Sequence, residues 1–227
     1  MNSFFFNLVD SWYSRQHTCP QDSFGEQGPP SPRLRRAKHE PAGVAEITNG
    51  RKAPMATGKL LFNIMGILID NIIHQLKEVQ EGKPWIGTSF YRKLDQIMED
   101  EAFLRPLPDL HSVAEIISHL TAWRKETIVK IRTGKGSLTD ESEENWLGND
   151  ILRKTGWSKL KTDYRNSLSE LIDLLQARDD DFLDEKYYDA DFKGHYNYGF
   201  VIYGMLHHDI YHLGQLGIII RFLKEER

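Results

Sequence analysis

Val201-Ile-Tyr-Gly-Met-Leu-His-His-Asp-Ile-Tyr-His-Leu-Gly-Gln215 carries both the period of the fold and its chemistry. Val201, Met205, His208, His212, Gln215 or Leu216, and then Ile219 step by three and four, the spacing of one helix face. His208 and His212 thereby take places that apolar side chains would fill on a face turned to a core. They lie one turn apart, roughly 6 Å along the axis, which lets two imidazoles reach one ion. Burying imidazoles without partners is costly, so something must satisfy them. A metal ion does so directly; hydrogen bonds to tyrosine, glutamate or backbone are the alternative.

The same period runs back along the chain. Leu60, Leu61, Ile64, Leu68, Ile72 and Leu76 predict a first amphipathic helix from Thr57 to about Gln80, ended by Gly82 and Pro84. A shorter helix is expected over Phe90 to Glu101, followed by an extended stretch at Arg105-Pro-Leu-Pro108, where each proline restrains its predecessor. Ser112-Val-Ala-Glu115 reads as a capping box that opens a second long helix through Ile116, Leu120, Trp123 and Ile131 to a stop at Gly134. Residues 135 to 155 are polar and read as a long crossover, with one turn near Trp146. Leu160, Tyr164, Leu168, Leu171 and Leu175 mark a third helix from Trp157 to Arg178, broken by Asp179-Asp-Asp181. A fourth spans about Tyr196 to Lys224. No period-2 run reads as a strand. The expected fold class is all-α: a four-helix bundle with one long crossover connection.

Composition shifts near residue 55. Six of the nine prolines precede Met55, mixed with glycine, serine and the basic cluster Arg33, Arg35, Arg36 and Lys38. Such a stretch buries too little apolar surface to offset chain entropy. Residues 1–54 are therefore read as a disordered tail, with Met55 an alternative start of translation, and residues 55–227 as the bundle. A net charge of −4 in 227 residues gives no basic footprint for nucleic acid. No apolar run approaches the length of a membrane span. The single cysteine, Cys19, excludes an internal disulfide framework, so the default compartment is the cytoplasm.

His119 adds to the histidine pair. It follows Ile116 and precedes Trp123 on the inward face of the second helix, and metal sites in bundles are built from side chains on facing helices. His119, His208 and His212 are thus the candidate ligands. His207 points roughly 100° from His208, towards a flank. His111 is expected at the surface, with a place behind the metal ligands as the alternative, His74 on a helix flank, and His17, His39 and His195 in tail or loop. Asp209, Glu115 and Gln215 are candidates for orienting imidazoles. Tyr203 and Tyr211 are candidate hydrogen-bond donors but are expected in the core, and Trp85, Trp123, Trp146 and Trp157 are expected as packing anchors. Gly134-Lys-Gly-Ser137 lacks the upstream glycine and the strand of a phosphate-binding loop.

Three signatures resemble the DinB-like (YfiT-like) family of metal-binding four-helix bundles. They are Pro84-Trp-Ile-Gly-Thr-Ser89, then Arg105-Pro-x-Pro-x-x-His-Ser-x-x-Glu-x-x-x-His119-Leu-x-x-Trp123, then His208-Asp-x-Tyr-His212-x-Gly-Gln215. The resemblance covers residues 57 to 225. It implies that His119, His208 and His212 form the metal triad, with nickel or zinc the expected divalent metal ion and iron or manganese also compatible. It further implies similarity to thiol-dependent transferases, such as bacillithiol transferases and the mycothiol-dependent maleylpyruvate isomerase, and a homodimer. No exposed heptad face is legible for such a dimer.

Three neutral imidazoles leave an ion's 2+ charge intact and coordination positions open, as in catalytic rather than structural sites. Such an ion lowers the pKa of water and deprotonates a thiol. Cys19 lies in the tail, so a thiol would arrive as a low-molecular-weight cosubstrate. The sequence reading is a metal-dependent transferase of a small thiol, or a hydrolase, acting on an electrophilic small molecule. Its alternative is a non-catalytic metal-binding bundle that acts in a stress response through a protein partner.

Overall fold

The computed structural model describes residues 66–225. The tail read at 1–54 and the first apolar positions Leu60, Leu61 and Ile64 lie outside the described residues. In chain order the elements are α1 (Ile67–Glu81), α2 (Phe90–Leu94), α3 (Glu99–Ala102), α4 (Val113–Thr133), α5 (Asn149–Thr155) and α6 (Trp157–Gln176). After a 3₁₀ turn at Asp180–Asp184 come β1 (Lys186–Asp189), β2 (Gly194–Asn197) and α7 (Tyr198–Glu225). The four long helices α1, α4, α6 and α7 form the expected bundle. α4 packs along α6 and α7, and α1 closes the other side against α6 and α7. No described helix is long and apolar enough to cross a membrane.

The helix ends follow local chemistry. Ser112 Oγ accepts from the Glu115 amide at 3.1 Å, and the Glu115 carboxylate accepts from the Ser112 amide at 2.8 Å, which is the capping box expected. α4 stops where Gly134 adopts φ 71°, a left-handed conformation cheap only without a Cβ. α1 is capped from a distance: Asp180 accepts the amides of Leu68 and Ile69 at 3.0–3.1 Å. The acidic run read as a helix breaker therefore also satisfies orphan donors at another helix's start.

Several expectations are corrected. In α1 the buried stripe is Ile69, Ile72, Ile73, Leu76, Val79 and Gln80, and Leu68 is exposed. The single helix over Phe90 to Glu101 is two short ones, α2 and α3, with Asp95–Met98 between them. The crossover contains α5. The loop before the last helix is a β-hairpin, β1 pairing antiparallel with β2 through Tyr187–Tyr196 and Tyr188–His195. The hairpin is held by a buried ion pair: Lys130 Nζ donates to Asp189 Oδ2 at 2.9 Å, and the Tyr187 hydroxyl donates to the same oxygen at 2.9 Å.

The core is aliphatic, with Leu76, Ile116, Ile117, Leu120, Leu171, Leu175, Ile202 and Leu216 all buried. Each such side chain contributes about 1.5–3 kcal/mol by leaving water. One polar network crosses this core and touches all four long helices. Arg124 Nη2 donates to both Asp209 oxygens at 3.1 and 3.0 Å, and Arg124 Nη1 to the Tyr164 carbonyl at 3.1 Å. Gln80 Nε2 donates to Asp209 Oδ2 at 2.9 Å, and the Tyr164 hydroxyl to Gln80 Oε1 at 2.6 Å. The bidentate fork fixes the rotation of α7 against α4, because only one register satisfies both carboxylate oxygens.

Candidate metal centre

His119 on α4 and His208 and His212 on α7 meet at one point. His119 Nε2 and His212 Nε2 each lie 2.9 Å from His208 Nε2. One nitrogen from each residue falls within 4.8 Å of the other two, an arrangement that could hold a metal ion. His119 and His212 are buried; His208 is half-buried, at the edge of the helix face rather than on its midline. The midline is taken by Ile202, Leu206, Asp209, Leu213 and Leu216.

Outer contacts decide the tautomers. His119 Nδ1 lies 3.0 Å from the Asn145 backbone carbonyl, which can only accept, so Nδ1 carries the proton and Nε2 presents a lone pair. His212 Nδ1 lies 2.6 Å from Gln215 Oε1, with the same result, while Gln215 Nε2 donates to the Tyr211 hydroxyl at 2.8 Å. Two lone pairs thus aim at His208 Nε2, which has at most one proton to give. His208 Nδ1 is buried and has no hydrogen-bond partner among the described residues. Whichever nitrogen of His208 is protonated, the three rings cannot satisfy one another. A cation at their meeting point satisfies every inward lone pair, so the donor set fits an ion and does not fit a hydrogen-bonded histidine cluster.

Burial also keeps the rings neutral, the state that ligates. It pushes His119 down to about 4, against the opposing hydrogen bond to Asn145. It pushes His212 down to about 3, with the His119 ring adding to the effect. His208 is held well below the ordinary histidine range by burial first and then by His212 and His119.

One wall of the site is aromatic. Trp146 stacks on His119 with centroids 3.8 Å apart and planes within 6°, and His111 stacks on the other side of Trp146 at 3.8 Å and 5°. Trp123 Nε1 donates to Asn145 Oδ1 at 2.8 Å, so the residue that orients His119 is itself held. Asn145 and this three-ring stack are absent from the sequence reading. His111, which precedes the capping Ser112, and the polar crossover around Trp146 gave no periodic signal.

Other expectations sort cleanly. Gln215 orients a histidine, as expected. Asp209 does not; it serves the Arg124 network. Glu115 pairs with Arg105, whose Nη2 lies 2.6 Å from its Oε1, and caps α4. Tyr203 and Tyr211 are exposed rather than in the core, and Trp85 is fully exposed while Trp157 is buried. His207 is exposed and outside the cluster. A separate cleft of about 550 Å³ lies along α4, lined by Thr121, Lys125, Glu126, Leu138 and Asp163. None of the three histidines lines it, and no set of convergent lone pairs marks it.

Residues 89–216 match the DinB superfamily, more than half of the 227-residue chain. The chain belongs to that superfamily. Among solved structures it is similar to the crystal structure of a DinB-like protein, YjoA, from Bacillus subtilis. The two share 14% identity at a TM-score of 0.48, over 66% of this chain and 90% of that one. No curated protein matches the chain.

Proposed function

We propose that His119, His208 and His212 hold one divalent metal ion, and that the chain uses it to activate a small thiol, or water, for attack on an electrophilic small molecule. The observation that carries this reading is the convergence of unsatisfied imidazole lone pairs on one point. An ion bound by three neutral imidazoles supplies a Lewis acid with open positions, which favours thiolate or hydroxide at neutral pH. Imidazole donors suit zinc and nickel, and iron less selectively, so availability selects among them.

The protein's own residues do the positioning. Asn145 and Gln215 hold two of the imidazoles in the ligating tautomer. Trp146 covers His119 and keeps water from that side. The Tyr211 hydroxyl, oriented by Gln215, is the polar group nearest in the chain to His212 that reaches the exposed surface. It is placed to hydrogen-bond an incoming polar substrate. Cys19 lies outside the described residues, and the thiol in this reading is a separate low-molecular-weight cosubstrate.

Elemental analysis of untagged protein, purified without added metal, should find close to one divalent ion per chain. The loaded protein should accelerate conjugation of small thiols to a model aryl halide, chelation should abolish the rate, and Cys19→Ser should leave it unchanged. Equal rates with and without the ion across a panel of thiols and hydrolysable esters would sink the catalytic part. They would leave a metal-binding bundle that acts through a partner.

A further inference from the structure

The cleft along α4 has a lining that the histidine cluster does not use. Its floor is apolar, built from Ala122, Leu138, Leu147, Leu152 and Leu160, and its volume of about 550 Å³ is that of a small-molecule site. Two polar side chains on the lining are buried and incompletely partnered. Ser118 is 8% exposed, and its hydroxyl makes no hydrogen bond among the described residues. Glu126 is 6% exposed. Its Oε1 accepts the Ser137 amide at 2.6 Å and the Leu138 amide at 3.1 Å, whereas Oε2 has no hydrogen-bond partner among the described residues. Lys130 Nζ stands 4.0 Å from Oε1 and donates instead to Asp189 at 2.9 Å.

The amides come from the end of the Gly134-Lys-Gly-Ser137 stretch, which thus wraps a carboxylate rather than a phosphate. Gly136 lies so close over Glu126 that an added Cβ would stand 1.9 Å from Oε1. Two amides on one oxygen hold the carboxylate still and leave the other oxygen to the cleft.

We propose that this cleft is a second ligand site, for a primary ammonium carried on an apolar body with a neutral polar group at its far end. Charge selects the head. A buried carboxylate is costly until a cation or further hydrogen bonds complete it, and an ammonium brings both charge and donors. Glu144 and Asp163 line the same cleft, Asp163 in an ion pair with Lys159. The one cation on the lining, Lys125, is exposed and makes no ion pair among the described residues. An anionic ligand would therefore face three carboxylates and a single ammonium.

Spacing selects the body. Ser118, Ala122 and Glu126 form one row of α4, each four residues from the next. The two polar groups do not converge; they stand about 12 Å apart along the axis, with apolar surface between them. That is the outline of a two-ended ligand. Ser142, Glu144 and Leu147 of the crossover line the cleft, while Asn145 and Trp146 between them hold His119. The ligand would thus lie behind the segment that orients a histidine and not among the histidines. The site stands whether or not they bind an ion.

The probe is the eight-carbon ω-amino alcohol, whose extended length matches the spacing of the two polar groups. Titrated into the full chain, it should shift the amide NMR signals of Ser118, Glu126, Ser137 and Leu138 and saturate at or below about 1 mM. The eight-carbon diol and ω-hydroxy acid should each bind at least about tenfold more weakly. Glu126→Gln keeps an oxygen for the two amides and removes the charge, so it should erase the preference for the amine and leave the diol unchanged. Ser118→Ala, which does not touch the strap, should weaken the amino alcohol several-fold and leave plain octylamine unaffected. Ala122→Leu should weaken every probe by filling the floor. The proposal is overturned by amides that do not respond at roughly ten times that concentration, by equal affinity for amine and diol, or by Glu126→Gln binding the amine as tightly as the parent. A Ser118→Ala protein that weakens octylamine equally would also overturn it, because the hydroxyl would then not be reading the far end.

Discussion

At the scale of the residue, His208 decides what the cluster can be. Its Nε2 lies 2.9 Å from two inward lone pairs, which a cation at that point would satisfy together. His208→Ala should lose the ion and keep the fold, because the site lies at the edge of the core and alanine suits a helix. His207→Ala, one residue away and exposed, should keep a full complement. Metal content measured on both proteins separates the two, and an unchanged value for His208→Ala would refute the ligand assignment. Gln215→Leu should weaken metal affinity by about 10–100-fold without unfolding, the usual effect of removing a group that orients a ligating histidine. Competition with a chromogenic chelator reads that shift.

At the scale of the element, the start of α4 concentrates several small effects. Ser112→Ala should cost about 1 kcal/mol of stability through the lost cap. Burial would raise the Glu115 carboxyl, but His111, Arg105 and the Ser112 amide outweigh it and hold the group down to about 2. His111 Nδ1 lies 3.7 Å from the Glu115 carboxylate, beyond hydrogen-bond distance. A carboxyl lowered on folding stabilises the protein fully above its unfolded value near 4.5 and loses that contribution as pH falls towards 2. Urea midpoints at pH 6, 4 and 3 should therefore fall more steeply for the parent than for Glu115→Gln. Parallel profiles would show that the pair contributes nothing. Elements were legible where periodicity ran three turns or more, as in α4, α6 and α7. α5 has one apolar residue buried, Leu152, and the strands have four residues each, too few to print a pattern.

For the whole molecule, the Arg124–Asp209 pair is the joint on which the site depends. It fixes α7 against α4 between the rings that must meet, and Gln80 and Tyr164 extend it to α1 and α6. Asp209→Ala leaves a guanidinium buried and unpaired and should cost about 3–5 kcal/mol. Replacing both members with Arg124→Met and Asp209→Leu should recover much of that stability. Metal affinity should stay low in this double variant, because apolar packing does not dictate helix rotation as a bidentate fork does. A double variant that regains parental affinity along with its melting temperature would show that the pair stabilises but does not position.

The sequence by itself determined the helical class, the four long helices, the cap and stop of α4, and the three histidines that are candidate ligands. These follow from 3.6-residue periodicity and from backbone donors that neighbouring residues must satisfy, both local properties. Tertiary structure alone decided that the three Nε2 atoms share one point, that Asn145 and Trp146 hold His119, and that Asp209 serves Arg124 rather than a histidine. Each of these depends on residues far apart in the chain meeting through helix rotation and packing, and no local period encodes the angle at which one helix faces another.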